Sequence, residues 1–292
     1  MNQVRVTTWT ILFSLCSTAM LLGNKVVLLS FPFPLALTFV QLFSAALLTL
    51  PVAVISGLTK LSKRQFGLYV LEGALFSVSI FASLKSLSLT NVGTVIIGRS
   101  CLPMVVYAGE RLQGKTASLT WRSCCSLGGV LAFATLYAFD AKGVRLTLVG
   151  LLWVIFWLFL VAVQMIYGKW LVGAVNVSHV ERVFYTNFCG LPLFAPLASS
   201  EAFAFYDAVK LGGPYLVIFS CLTGVTIGYT SWRLRALISA TSFSLIGVLN
   251  KMLTVCVAIT FWHDEGSSMS LIALVGCLVS GFFYEGDGGK AK

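Results

Sequence analysis

Apolar runs long enough to cross a bilayer follow one another along this chain with little between them, and that leaves few folds open. A helix needs about 20 such residues to span the hydrocarbon. Ten segments approach that length: 7–30, 33–56, 66–85, 88–109, 117–139, 146–170, 183–200, 211–232, 236–262 and 268–285. The Phe31-Pro32-Phe33-Pro34 turn divides the first two. Spanning strands are excluded, because apolar–polar alternation is absent and the runs are too long for barrel strands. The expected fold is therefore all-α, a polytopic membrane protein of ten transmembrane helices. Composition agrees: 10% of the residues are charged, against about 25% in a soluble domain. No stretch is polar enough for a soluble module, so residues 1–292 read as one transmembrane domain. The first apolar run is too long for the h-region of a cleavable signal peptide.

The net charge of +10 raises nucleic acid as a partner, and the placement of the charges answers it. Ten spans put both termini on one side. Thirteen of the twenty Lys and Arg residues then fall on that side, and only Lys142, Arg145 and Lys210 on the other. Basic residues accumulate on cytosolic loops, so both termini are expected in the cytosol. This accounts for most of the charge and leaves no need for nucleic acid. The sequon Asn176-Val177-Ser178 falls on the cytosolic side and reads as chance.

The four remaining cations lie within helices. Lys25 and Lys85 are near helix ends, where a long side chain snorkels to the interface. Arg99 and Lys251 are deeper, and neither has an acidic neighbour in its own segment. Each such charge costs roughly 2.5–3.5 kcal/mol at the bilayer centre. Two cations kept there are most naturally used to bind an anion. Pro103 has no N–H for the carbonyl of Arg99 and should kink or open the helix there. Dividing ten helices into halves of five, 7–139 and 146–285, puts Arg99 on the fourth and Lys251 on the ninth. Charges at matching places are what an inverted-repeat carrier, with its site near the midplane, would show.

Enzymatic readings find little support. The two histidines, His179 and His263, are expected in loops on opposite sides of the membrane. No metal cluster, catalytic dyad or Gly-rich phosphate loop is present, so neither enzyme activity nor a cofactor is expected. The eight cysteines lie in or beside apolar runs without a CxxC pair and read as packing residues. Glu72 is the one acid within an expected span, which disfavours coupling to protons or sodium.

Phe184-Tyr185-Thr186-Asn187 and Gly247-Val-Leu-Asn250-Lys251 resemble the Phe-Tyr-Asn-Asn and Gly-Ala-Leu-Asn-Lys motifs of the Golgi GDP-sugar transporters. That family lies in the drug/metabolite transporter superfamily, with ten helices in two inverted five-helix halves. Asn24-Lys25, Leu84-Lys85-Ser86-Leu87, Arg99-Ser100 with Gly109-Glu110, and Ile238 through Thr254 extend the resemblance over nearly the whole chain. It implies that Tyr185, Thr186 and Asn187 face the nucleobase, with Asn187 reading guanine, and that Ser231 lies near the base. Phe243 stands where the family often has a tyrosine against the ribose. Gly247, Asn250 and Lys251 match residues that meet the sugar and diphosphate, and Arg99 a basic position at the phosphates. Thr186 replaces the first asparagine of the pair and lacks the amide's combined donor and acceptor.

The resemblance implies a nucleotide-sugar antiporter of the Golgi membrane, bringing a GDP-sugar such as GDP-mannose, GDP-fucose or GDP-galactose into the lumen in exchange for GMP. Its partners would be the nucleotide sugar, a nucleoside monophosphate and membrane lipid, with a homodimer as a further candidate. A UDP-sugar transporter, or a plastid-type triose-phosphate or phosphoenolpyruvate:phosphate exchanger, would use similar cations. On the expected topology, cysteines placed at Lys63, Lys169 and Lys290 are labelled from the cytosol, and one at Lys210 only from the lumen. Labelling of Lys63 and Lys210 from the same side would refute it.

Overall fold

The computed structural model describes residues 2–55, 57, 60–90, 92–114, 120–141, 147–262 and 268–284. These form eleven helices and, among the described residues, no strand: α1 (Asn2–Ser30), α2 (Pro34–Ile55), α3 (Lys63–Leu89), α4 (Val92–Leu112), α5 (Trp121–Ala141), α6 (Leu148–Ala174), α7 (His179–Ala198), α8 (Ala202–Gly212), α9 (Tyr215–Leu237), α10 (Ala240–Trp262) and α11 (Ser268–Phe282). The all-helical expectation holds, but the count differs. Residues assigned to a loop before the eighth span form α8, bent 95° from α7. Pro192 and Pro196 lie in the second half of α7, and Gly213, at φ 84°, closes α8 in the left-handed region that glycine enters without strain.

The expectation of ten spanning helices is met in part. Among the described residues six helices, α1, α2, α3, α5, α6 and α9, are long and apolar enough to span, or seven if α7 and α8 form one bent span. The described apolar stretches of α10 and α11, Ala240–Val255 and Met269–Phe282, are shorter. Helix α4 carries Arg99, Glu110 and Arg111 and runs unbroken through Pro103. The opening expected at that proline does not interrupt it. His179 begins α7 rather than lying in a loop, and His263 falls outside the described residues.

The chain divides into two compact units, each assembled from distant segments: Met1–Val78 with Trp170–Leu237, and Ser79–Lys169 with Ile238–Lys292. In the first, α2 packs on α7 and α9, and α1 on α9. Half-buried Asn24 and buried Gln41 and Ser220 join α1, α2 and α9: Gln41 and Ser220 both donate to Asn24 Oδ1, at 2.9 and 2.6 Å. A carboxylate of Glu201 accepts from the N–H groups of Leu35 and Ala36 at 2.8 and 3.0 Å and so caps α2. Ser178 of the sequon is the N-cap of α7, in a reciprocal capping box with Glu181.

In the second unit α5 packs on α11, α4 on α5 and α10, and α10 on α11. Leu127, Val130, Tyr137, Val248, Met252 and Leu274 belong to its core. The outer face of α6 exposes Val149, Leu152, Phe156 and Phe159 at helical spacing, a surface suited to lipid rather than water.

Backbones approach most closely where α3 meets α7. A Cβ on Gly73 would lie 2.7 Å from the backbone nitrogen of Gly190 and 2.9 Å from Cys189 Cβ. Backbone cannot give way as a flexible side chain does. Gly73→Ala is expected to cost about 1–3 kcal/mol by overpacking and to lower the Tm in detergent. Gly67→Ala, where nothing lies within 4 Å, serves as the control and should leave Tm unchanged.

Candidate substrate-binding site

Five of the nine predicted residues gather in the second unit. Arg99 lies in the first half of α4, and the adjacent Gly98 lets α6 come close, since a Cβ there would meet Val154 at 2.9 Å. Trp157 of α6 presents its ring 6.0 Å from the guanidinium carbon. From α10, Gly247 faces the arginine: a Cβ on it would sit 3.8 Å from Arg99 Nη2. Lys251 is near enough for the two cations to repel each other. Arg99 Nε and Asn250 Nδ2 are buried with no hydrogen-bond partner. Phe243, one turn before Gly247, is buried at 5% exposure.

Nothing among the described residues neutralises this pair. Neither Arg99 nor Lys251 forms an ion pair. The two acids described in the unit are engaged elsewhere: Glu110 at the start of α10, and Asp140 as acceptor from Ser270 Oγ at 2.7 Å. Two like charges and two unsatisfied donors are a donor-rich constellation that an anion with several oxygens would complete.

The other four polar residues lie in the first unit, Tyr185, Thr186 and Asn187 on α7 and Ser231 on α9. The two helices approach where Gly228 faces Val183: a Cβ on Gly228 would lie 3.3 Å from Val183 Cγ1. The Tyr185 ring packs 5.2 Å from that of Tyr69. Asn187 Nδ2 donates to the Val183 carbonyl at 2.7 Å, and Ser231 Oγ to the Gly228 carbonyl at 3.0 Å. Asn187 therefore has one donor committed within its own helix. Thr186 Oγ1, at the position where this chain departs from the motif, is buried without a partner.

Three charged arrangements escaped the sequence reading. Arg235, assigned there to a loop, lies in the last turn of α9 and pairs with the fully buried Glu72 at 3.6 Å. Arg182, also assigned to a loop, donates to the carbonyls of Leu171, Val172 and Val175 and closes the end of α6. Both arginines stand over the Trp232 ring. Glu110 was visible only as part of a motif. An apolar cavity of about 460 Å³ beside α8, lined by residues such as Ala36, Phe39, Ala198, Phe205 and Val209, contains no charged side chain and none of the predicted residues.

No family model matches the chain. It is 29% identical to the GDP-mannose transporter GONST3 of Arabidopsis thaliana, over 92% of this chain and 76% of that protein. It is 29% identical to GDP-fucose transporter 1 of the same plant, over 97% and 86%. The GDP-mannose transporter of the yeast Meyerozyma guilliermondii is 23% identical over 94% and 83%. The chain is a homologue of GDP-sugar transporters. These relatives are transporters, not enzymes. One crystal structure, 12% identical, covers 95% of each chain with a TM-score of 0.67, a likeness of fold alone.

The clearance at Gly247 makes a prediction about the transporter homologue. Gly247→Ala places its methyl group in ordinary contact with Arg99 and should not lower the Tm in detergent. Gly247→Leu would displace the guanidinium and should lower the Tm, at a cost of about 1–3 kcal/mol from overpacking.

Proposed function

We propose that this chain is a nucleotide-sugar antiporter that carries a GDP-sugar into the Golgi lumen in exchange for GMP. The observation that carries the reading is the cation pair Arg99 and Lys251, held close in the second unit without an acidic partner. Its plant and yeast relatives, which carry GDP-mannose or GDP-fucose by name, support the choice of substrate. In this reading Arg99 and Lys251 hold the diphosphate, Asn250 and Gly247 serve the sugar and phosphates, and Phe243 serves the ribose. Tyr185, Thr186, Asn187 and Ser231 serve the base. Two inverted halves, 7–139 and 146–285, with both termini cytosolic, complete the proposal.

Charge explains why exchange is preferred to free uptake. A diphosphate diester carries one negative charge on each phosphate at neutral pH, and the pair supplies one positive charge for each. Loaded, the site is close to neutral. Empty, it must take two unpaired cations through an occluded state, at several kcal/mol by the estimate of about 2.5–3.5 kcal/mol per charge. A nucleoside monophosphate on the return leg removes most of that cost. A UDP-sugar is the second reading. It is favoured by Thr186 standing for asparagine and by the Asn187 donor already spent on the Val183 carbonyl.

Three measurements in proteoliposomes test the proposal. Preloading with GMP should accelerate GDP-mannose entry strongly, whereas an imposed pH or sodium gradient should not; proton-driven uphill uptake into empty vesicles would sink the exchange mechanism. Lys251→Ala and Arg99→Ala should each abolish exchange. Lys251→Arg should fail too, since a planar guanidinium does not replace a compact ammonium. Asn187→Ala should weaken uptake by about 1–3 kcal/mol in apparent affinity without loss of folding. If uptake of GDP- and UDP-sugars is equally untouched, Asn187 does not read the base.

A further inference from the structure

Two cations that repel each other need something to keep their helices in register, and the contact that does so lies at the other end of α4. Glu110, 4% exposed, directs its carboxylate at the first turn of α10. Oε1 accepts from the Ala240 N–H at 2.9 Å. Oε2 accepts from the Thr241 N–H at 3.0 Å and from the Thr241 hydroxyl at 2.6 Å. A carboxylate facing the unpaired N–H groups and the positive dipole end of a helix is a strong local attraction. Lys169 at the end of α6 adds a further attraction to the same carboxylate.

The cap is shared: Ser239 Oγ accepts from the Ser242 N–H at 3.1 Å, and Glu110 takes the Ala240 and Thr241 N–H groups that this local cap leaves open. What Glu110 adds is a link across 130 residues of sequence between the helices that carry the two cations.

The spacing shows what that link sets. From Arg99 to Glu110, and from Ala240 to Lys251, the chain takes eleven steps. At a rise of about 1.5 Å each, both cations lie roughly 16 Å along their helices from the clamp. Since the end of α4 meets the start of α10, the helices run antiparallel and the clamp brings Arg99 and Lys251 level. We infer that Glu110 is a positioning residue that fixes the register of α4 and α10 and thereby holds the Arg99–Lys251 pair at the spacing its anion requires. This rests on the proposed function for the identity of the anion, but not for the clamp.

Two variants probe the clamp at different strengths. Glu110→Gln keeps an acceptor oxygen and gives up the charge; Thr241→Val keeps the carboxylate and removes one donor. In full-length protein reconstituted with GMP inside, Glu110→Gln should raise the KM for GDP-mannose about tenfold, the size of a helix-terminus charge effect, with kcat changed by less than about twofold. Thr241→Val should raise KM about threefold and remains informative if Glu110→Gln does not fold. An unchanged KM in these variants, with Lys251→Ala inactive, overturns the clamp and leaves the proposed function standing. Active Lys251→Ala overturns the proposed function instead.

A thermal-unfolding cycle judges the clamp independently of transport. Removing the repulsion by Lys251→Met should raise the Tm of Glu110→Gln, or of Thr241→Val, by less than it raises that of the wild-type protein, because a loosened register already lets the pair move apart. A purely structural cap would give equal shifts. Equal shifts overturn the inference.

Discussion

Positive charge without a counter-charge, in a setting where charge is costly, is the constraint on which the account turns. The second unit carries Arg99 and Lys251 near enough to repel each other, and its described acids serve other partners. The first unit treats its interior cations differently. Arg235 is matched by Glu72, and Arg182 is absorbed by the carbonyls that end α6. Removing one partner from such a buried pair is strongly destabilising, while the pair itself contributes little net stability. The contrast separates arginines whose partners are built in from a pair that awaits one. Buried, unpartnered Asn250 Nδ2 points the same way.

The rest of the charge economy follows from scarcity. Ten acidic residues serve 292 positions, and several described ones are placed at helix ends. Glu201 caps α2 from a distant segment, Glu110 does the same for α10, and Glu181 completes the box at the start of α7. In lipid every open N–H or carbonyl must find a partner within the protein. An acid at a helix start meets that need and complements the dipole, leaving none of those carboxylates for the cation pair. Arg182 applies the same logic with opposite sign at the end of α6.

How much of this was legible in the sequence depended on whether a residue's role is local. Arg99 and Lys251 stood out because a cation in an apolar run is anomalous whatever surrounds it, and the helical class followed from run length alone. The end of α7 was legible, since the seventh run stops at residue 200, but α8 was not: Ala202–Gly212 was read as a loop because it is too short to span. Arg182 and Arg235 were read as loop residues because helix boundaries drawn from hydropathy stop at the first charge, whereas both are buried by partners distant in sequence. Asn187 was legible as a polar residue at a motif position, but its bond to the Val183 carbonyl is a rotamer choice that no sequence pattern announces. Glu110 belongs to the same class, since its partners lie 130 residues away.

The most direct test of the central claim is a structure of the full-length protein with GDP-mannose bound. The account predicts diphosphate oxygens within hydrogen-bond distance of the Arg99 guanidinium and the Lys251 ammonium, with Asn250 Nδ2 satisfied by the same ligand. A bound nucleotide sugar whose phosphates lie elsewhere, with Arg99 and Lys251 left without an anion, would contradict it.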